Sequence, residues 1–434
     1  MTRRAHRRGL LPALLAASLV LVSGMPAALA DPPAEGELPA YAYAADGEQV
    51  EGGGSLAQAA VVEPGIHLDS YAQGASEEFG SGTTKYYRVA VEDGQRVRSS
   101  ATIAAPPYPG GLPEGYEGLD LQISYLTAGG DTCDDSSSSS TGATMTGDGP
   151  ITSSAVSGVV GPDGCAGTEL FIQVTRTGLR AADEPLPVEI QVAIQPSGIG
   201  GGSPSVDEEI EDDGASPVAP ATDEPIELGR SFSSATPLEP GSYVVELVPG
   251  ESGLVRIPVQ EGQRLRWRTE VTSQPEGAGE ISLLAFNAAR EPVAVGGGTW
   301  QMSDYDPIAG GGMAAPVDRG NRSSELSGVE SAWLPGTQTI QLHRLQRAAD
   351  AEPAGDDPVT LVLTLEVEGD VAADAADGTV LELGDTTSGS SSDGFLGLGD
   401  GLGRIALFVG AGLLTLIALV TGVAGILVLR LRRR

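Results

Sequence analysis

One short pattern written twice constrains this chain more than anything else in it. "VAVEDGQRVRSS", residues 89–100, returns as "IPVQEGQRLRWR", residues 257–268, with glycine at the same step of each. In Tyr87-Arg88-Val89-Ala90-Val91 the apolar side chains fall at alternate positions, the period of a half-buried strand. Asp93-Gly94 and Glu261-Gly262 then supply the glycine that a tight turn needs at positive φ, so each stretch predicts a β-hairpin with Val97, or Leu265 and Trp267, pointing inward. Other segments repeat in the same order: "AVVEPGIHLD" with "TPLEPGSYVVEL", "DLQISYL" with "EISLLAF", "AGTELFIQVTR" with "PGTQTIQLHR", and "PVEIQVAI" with "PVTLVLTL". Strands repeated in one order mark a tandem duplication. The expected fold class is all-β: two tandem jelly-roll-like β-sandwiches, each of five or more strands. Pro258 interrupts a strand without an N–H to donate, so that strand belongs at an edge or turns the position outward.

The flanks differ in kind. Residues 1–30 have a basic start, an apolar run and an Ala28-Leu29-Ala30 cleavage site, the pattern of a secretory signal peptide. From Ile405 to Leu429 the chain is uncharged, about 37 Å if helical, and Arg430, Arg432, Arg433 and Arg434 follow at once. This predicts a single-pass membrane helix with a cytoplasmic C-terminus and an extracellular N-terminal ectodomain. Between these ends the expected order is a disordered leader (31–54), the first sandwich (55–196), an acidic Gly/Pro linker (197–227), the second sandwich (228–370) and a flexible stalk (371–404). The linker holds little that is apolar and is expected to be extended and mobile.

The "EPG" turn, the strand "YYRVAVEDGQRV", and the strands "ISLLAFNAARE", "GTELFIQVTR" and "PVEIQVAI" together resemble the bacterial pre-peptidase C-terminal domain. They resemble still more its relatives in membrane-anchored actinobacterial surface proteins, some of which also carry a von Willebrand A module. The resemblance covers both blocks and implies sandwiches that accompany an active domain or bind something. It departs from the family in carrying no peptidase domain.

Charge narrows the function. The signal peptide and membrane segment hold eight of the 25 Lys and Arg residues and no Asp or Glu, which leaves 17 basic against 59 acidic residues in the ectodomain. Such a surface repels nucleic acid and favours cations and basic partners. Chemistry is sparse. Only His67 and His343 remain after the signal peptide, neither in a nucleophile-elbow or zinc-protease motif, and His343 is expected on an exposed strand face. Cys133 and Cys165 are the only cysteines and predict one disulfide clamping a serine-rich loop, stabilising the first block by about 3–4 kcal/mol. Asp131, Asp134 and Asp135, with Asp304 and Asp306 in the matching region of the second block, are candidate Ca2+ ligands; a solvated acidic loop is the alternative. Arg96, Arg98, Arg264, Arg266 and Arg268 alternate on outward strand faces, either to bind an anion or to pair with neighbouring acids. Trp267, Trp300 and Trp333 read as core rather than as a sugar-stacking platform.

The expectation is therefore a non-catalytic cell-surface binding or accessory protein. Its partners are expected to be the membrane and a surface protein, a von Willebrand A-containing one being a candidate. It is expected to need no cofactor beyond a candidate Ca2+ and to bind no nucleic acid. A structural spacer or adhesin is the alternative, and an extracellular hydrolase or peptidase-associated protein the weaker one.

Overall fold

A computed structural model describes residues 39–384, except 78–79, 116, 136–137, 163, 200–201, 276–277, 296–299, 303–306, 351–356 and 373–379. The signal peptide and the anchor from Ile405 to Arg434 lie outside the described residues. Among those described, no helix is long and apolar enough to cross a membrane.

The first block contains β1 (Glu48–Gln49), β2 (Ala60–Val61), β3 (Gly65–Tyr71), β4 (Ser81–Ala90), β5 (Arg96–Ala104), β6 (Asp120–Leu126), β7 (Ser139–Thr141), β8 (Pro150–Val156), β9 (Glu169–Thr177) and β10 (Leu186–Gln195). They make a six-stranded sheet in the order β1-β3-β10-β5-β8-β7 and a four-stranded sheet in the order β2-β4-β9-β6. The second block contains β11 (Thr236–Pro237), β12 (Gly241–Leu247), β13 (Ser252–Val259), β14 (Arg264–Ser273), β15 (Ile281–Phe286), β16 (Trp300–Met302), β17 (Ile308–Gly312), β18 (Gly336–Arg344) and β19 (Val359–Glu368). Its sheets run β12-β19-β14-β17 and β11-β13-β18-β15-β16. The order β3-β10-β5-β8 thus has its counterpart in β12-β19-β14-β17, and β2-β4-β9-β6 in β11-β13-β18-β15. The duplication is legible in the hydrogen-bond ladders as well as in the sequence.

The repeated turn is not a hairpin. β4 pairs with β2 and β9, whereas β5 pairs with β10 and β8, so the turn at Gly94 carries the chain from one sheet to the other. The turn at Gly262 does the same between β13 and β14. Both strands of each pair bury one face in the same core, and crossing between sheets satisfies that as well as direct pairing would. The turns are alike in detail: Gly94 has φ 85° and Gly262 φ 89°. The Gln95 side chain accepts from Glu92 N at 2.8 Å and that of Gln263 from Gln260 N at 2.9 Å. Pro258 is exposed near the end of β13, beyond the two residues paired with β11, as a strand proline requires.

Each sandwich has its own core. Val97, Ile103, Leu121, Ile123, Ile172, Val188 and Ile190 pack in the first; Val255, Ile257, Leu265, Trp267, Leu283, Ile340 and Leu363 pack in the second. Full burial of each such aliphatic side chain contributes about 1.5–3 kcal/mol.

The outer faces of two sheets are buried too. In β10 Glu189, Gln191, Ala193 and Gln195 alternate with core residues, and in β18 Thr339, Gln341 and His343 do the same, yet all are solvent-inaccessible or nearly so. The six-stranded sheet of the first sandwich lies against the five-stranded sheet of the second, with Tyr43, Phe232, Leu254, Leu284 and Phe286 in one apolar cluster and Ala193, Ala289, Trp333 and Leu334 in another.

Three segments expected to be loose are held. The leader is ordered from residue 39: β1 pairs with β3, Ala44 N donates to Arg230 O at 2.9 Å, and Tyr43 is buried between the sandwiches. Residues 203–215 of the linker lie along the second sandwich as a strap. Ile210 N donates to Ala314 O at 2.8 Å, Ala215 N to Trp267 O at 3.2 Å, and Ser205 N to Asn321 Oδ1 at 2.8 Å. The close approach depends on glycine: a Cβ on Gly214 would sit 2.4 Å from Trp267 O. After β19 the chain returns to the first sandwich, where Glu382 and Ile194 exchange backbone hydrogen bonds and Val380 and Leu381 are buried. Composition counts apolar residues but is blind to arginines and backbone groups already waiting on a neighbouring surface; these, with a few placed apolar side chains such as Tyr43, Val206, Val380 and Leu381, hold the segments down.

Candidate functional site

The most elaborate polar arrangement lies between the sandwiches. Asn287-Ala288-Ala289-Arg290-Glu291 follows β15 as a turn, closed by Asn287 N to Glu291 O at 3.0 Å and Arg290 N to Asn287 O at 2.8 Å. The Asn287 side chain accepts from Ala289 N at 2.9 Å and Glu291 N at 3.1 Å. The turn holds Arg290 at φ 57°, a left-handed conformation that is strained for a long side chain and stays only where its surroundings fix it.

Two arginine–carboxylate pairs cross in opposite directions. From the second sandwich, Arg290 pairs with the buried Glu189 of β10 and stacks 4.5 Å from the Phe232 ring centre. The other Glu189 oxygen accepts from the Tyr43 hydroxyl at 3.1 Å and from Asp46 N at 2.9 Å. From the first sandwich, Arg98 pairs with Glu291, donates to Gln195 Oε1 at 2.9 Å, and lies 4.3 Å from the Trp333 ring centre. Glu291 also accepts from Trp333 Nε1 at 2.9 Å and Asn287 Nδ2 at 3.0 Å. Burial alone would raise the Glu291 carboxyl, but the Arg98 guanidinium and these two donors hold it below its ordinary value. Burial, reinforced by Glu189, pushes the Tyr43 hydroxyl well above its ordinary value, so it stays a donor.

A second contact joins Asp148 of the first sandwich to His343 and Gln346 of the second. Gln346 N donates to Asp148 Oδ2 at 2.7 Å, and the Gln346 side chain exchanges hydrogen bonds with the Tyr108 backbone at 2.7 and 2.9 Å. His343 Nδ1 is 2.8 Å from Ser252 Oγ, and His343 Nε2 is 3.6 Å from Asp148 Oδ2. Serine, histidine and aspartate thus meet, the composition of a hydrolytic triad. Ser252 is only 2% exposed, however, and His343 3%, so the group is closed to solvent in this structure. Of the three, only Ser252 and His343 are hydrogen-bonded to each other, both within the second sandwich; His343 Nε2 faces Asp148 across the contact beyond hydrogen-bond distance.

Cys133 and Cys165 form the expected disulfide. The three candidate calcium ligands do not converge. Asp131 is exposed, Asp134 Oδ1 accepts from Tyr125 N at 2.5 Å, and Asp135 pairs with Arg96 at 2.5 Å. Among the described residues no three His, Cys, Asp or Glu side chains are placed to hold a metal. Asp304, Asp306 and the Trp300 side chain lie outside what is described. Trp267 and Trp333 are buried.

The strand arginines pair with acids: Arg264 with Asp212 and Glu368, Arg266 with Asp212 and Glu366, Arg268 with Glu270. Arg98 points away from its own core, as expected, but the second sandwich covers it. His343, expected to be exposed, is 3% accessible for the same reason. Glu189, Arg290, Glu291, Asp148 and Asp212 were not anticipated. The available signals are apolar residues at outward strand positions: Ala193 on β10, Leu254 on β13, and Leu284 and Phe286 on β15.

No family model matches the chain, so the expected pre-peptidase C-terminal family is not confirmed, and no curated relative matches it. Among solved structures, the tandem CBM22-1–CBM22-2 domains of Paenibacillus barcinonensis Xyn10C are 11% identical, covering 70% of this chain and 92% of that one, with a TM-score of 0.18. The ANXUR2 extracellular domain of Arabidopsis thaliana is 8% identical (69% and 88% covered, TM-score 0.15), and the collagen adhesin of S. aureus 7% (72% and 99%, TM-score 0.15). Likenesses this slight carry no argument, and the β-sandwich fold rests on the strand order itself.

Proposed function

We propose that this chain is a non-catalytic accessory or binding protein of the cell surface, anchored by residues 405–429 and engaging a protein partner with a basic face. The observation that supports it most is the double Arg–Glu crossing of the inter-sandwich contact, which turns two modules into one body with a fixed outline. Two sites on such a body meet a partner at fixed spacing, so ordering costs little on binding. The acidic excess of the ectodomain speeds encounter with a basic surface and makes it weaken with salt. A von Willebrand A-containing surface protein is the partner class that the sequence resemblance suggests. The test is cross-linking of the full chain in living cells, with recovery compared at low and high salt and with Glu189→Ala. A partner lost on raising salt supports binding. Recovery of no partner favours a spacer, for which the same fixed body is equally suited.

A further inference from the structure

The chain contains a single lysine, Lys85; every other strong cation is arginine. The buried ion pairs described above all use arginine, whose planar fork suits a carboxylate better than an ammonium does. Lys85 is nevertheless placed inside the first sandwich, its side chain 15% exposed, with Nζ 2.5 Å from Oδ1 of Asp69, itself 3% exposed. The pair joins the two sheets, since Asp69 is on β3 of the six-stranded sheet and Lys85 on β4 of the four-stranded one. What distinguishes lysine here is that its amine, unlike a guanidinium, becomes a nucleophile when it loses a proton.

The surroundings of Asp69 fit acyl chemistry. Oδ2 accepts from the Tyr87 hydroxyl at 2.6 Å and from Gly52 N at 2.7 Å, and Oδ1 accepts from Ser70 N at 2.6 Å. The Tyr71 hydroxyl lies 3.2 Å from that of Tyr87, and the Lys85 ammonium 5.6 Å from the Tyr71 ring centre. Burial raises both phenols far above their ordinary values, so both keep their protons.

We propose that Lys85 and Asp69 condense to an intramolecular isopeptide bond that ties the two sheets of the first sandwich together. Away from water, the ammonium passes a proton to Oδ1, leaving a neutral amine against a carboxylic acid. Nζ adds to Cγ, and the negative charge that develops on Oδ2 is met by the Tyr87 O–H and Gly52 N–H, donors already in place. As the carbonyl re-forms, the Cγ–Oδ1 bond breaks. Oδ1 departs as water with two of the three ammonium protons, and the third stays on the amide. No oxidant, reductant or activated co-reactant is required.

The sequence makes the test direct. From residue 31 to residue 84 there is no Lys or Arg, and Arg88 is the next basic residue after Lys85. The full chain, purified, reduced, denatured and digested with trypsin, is expected to resist cleavage at Lys85. It should yield one N-terminal peptide ending at Arg88 and lighter than its sequence by one water, with fragments linking residues 69 and 85. Lys85→Arg should be cut at residue 85 with full mass. Asp69→Asn, which has no carboxylate to take the ammonium proton, should keep full mass and be cut at residue 85, and Tyr87→Phe should slow bond formation by about 100-fold. Wild-type chain of full mass that releases Tyr86-Tyr87-Arg88 overturns the proposal, and does so whether or not any variant folds.

Discussion

The two copies of the Gly-Gln-Arg turn have the same φ, the same glutamine cap and the same crossing between sheets, and they spend their arginines differently. In the first copy Arg96 pairs with Asp135 and Arg98 reaches Glu291 of the other sandwich. In the second copy Arg264 and Arg266 close on Asp212 of the strap. Duplication supplied one scaffold with two outward arginines, and whatever packs on each outer face decides their use. The first sandwich is fastened by a disulfide and by its neighbour; the second is fastened by a segment of chain that arrives just before it.

The largest effect is expected where a buried charge is orphaned. Glu189→Ala strips Arg290 and Tyr43 of their acceptor and should cost about 3–5 kcal/mol, splitting one cooperative unfolding transition into two in calorimetry. A single unchanged transition would show that the sandwiches are not coupled through this pair. Replacing Cys133 and Cys165 with serine should cost about 3–4 kcal/mol, read as a lower midpoint of that same coupled transition. Acid should act on contact and strap together. Glu291 is held below its ordinary value by Arg98 against the pull of burial, and Asp212 by Arg266 and Arg264 in the same way. A depressed carboxyl contributes stability that is complete above its unfolded value, near 4, and is lost as pH falls through its folded value. Stability should thus fall below about pH 4; a fall on the alkaline side instead would reverse the sign.

Smaller effects separate the strap from the contact. Asp212→Ala should cost about 1–3 kcal/mol and open residues 203–215 to limited proteolysis, which in the wild type should cut no earlier than the exposed residues that follow. Ser252→Ala should change stability by about 1 kcal/mol and leave any ester or peptide turnover of the preparation unaltered. Turnover abolished by this substitution would make the buried Ser252–His343–Asp148 group an active site after all.

Most of the strands were legible because alternation is local: Ile190 and Val192 announce a strand whatever lies beyond it. The disulfide was legible because two cysteines leave one pairing. The turn was misread as a hairpin because pairing depends on which strand arrives alongside, and β10 and β9 lie far along the chain. Arg98 reads as an outward arginine for an anion or a neighbouring acid, and Glu189 carries no signal at all, because a polar residue on an outer face looks the same whether water or a second sandwich covers it. The strap is hidden for the converse reason: its hold on the second sandwich comes largely from Asp212 and backbone groups, with only isolated apolar side chains such as Val206 and Ala215 packed beneath it.

The short pairing of Glu382 with Ile194 has a mechanical meaning. Chain that continues past Gly384 leaves from the first sandwich, although the last core strand, β19, belongs to the second. Tension applied from the C-terminal side meets this two-bond clasp first, and must peel residues 380–384 away before it reaches β19. The clasp, two backbone hydrogen bonds backed by the buried Val380 and Leu381 side chains, therefore stands between such a pull and the last core strand, so the rate of its opening, rather than the stability of either core, would set the first response.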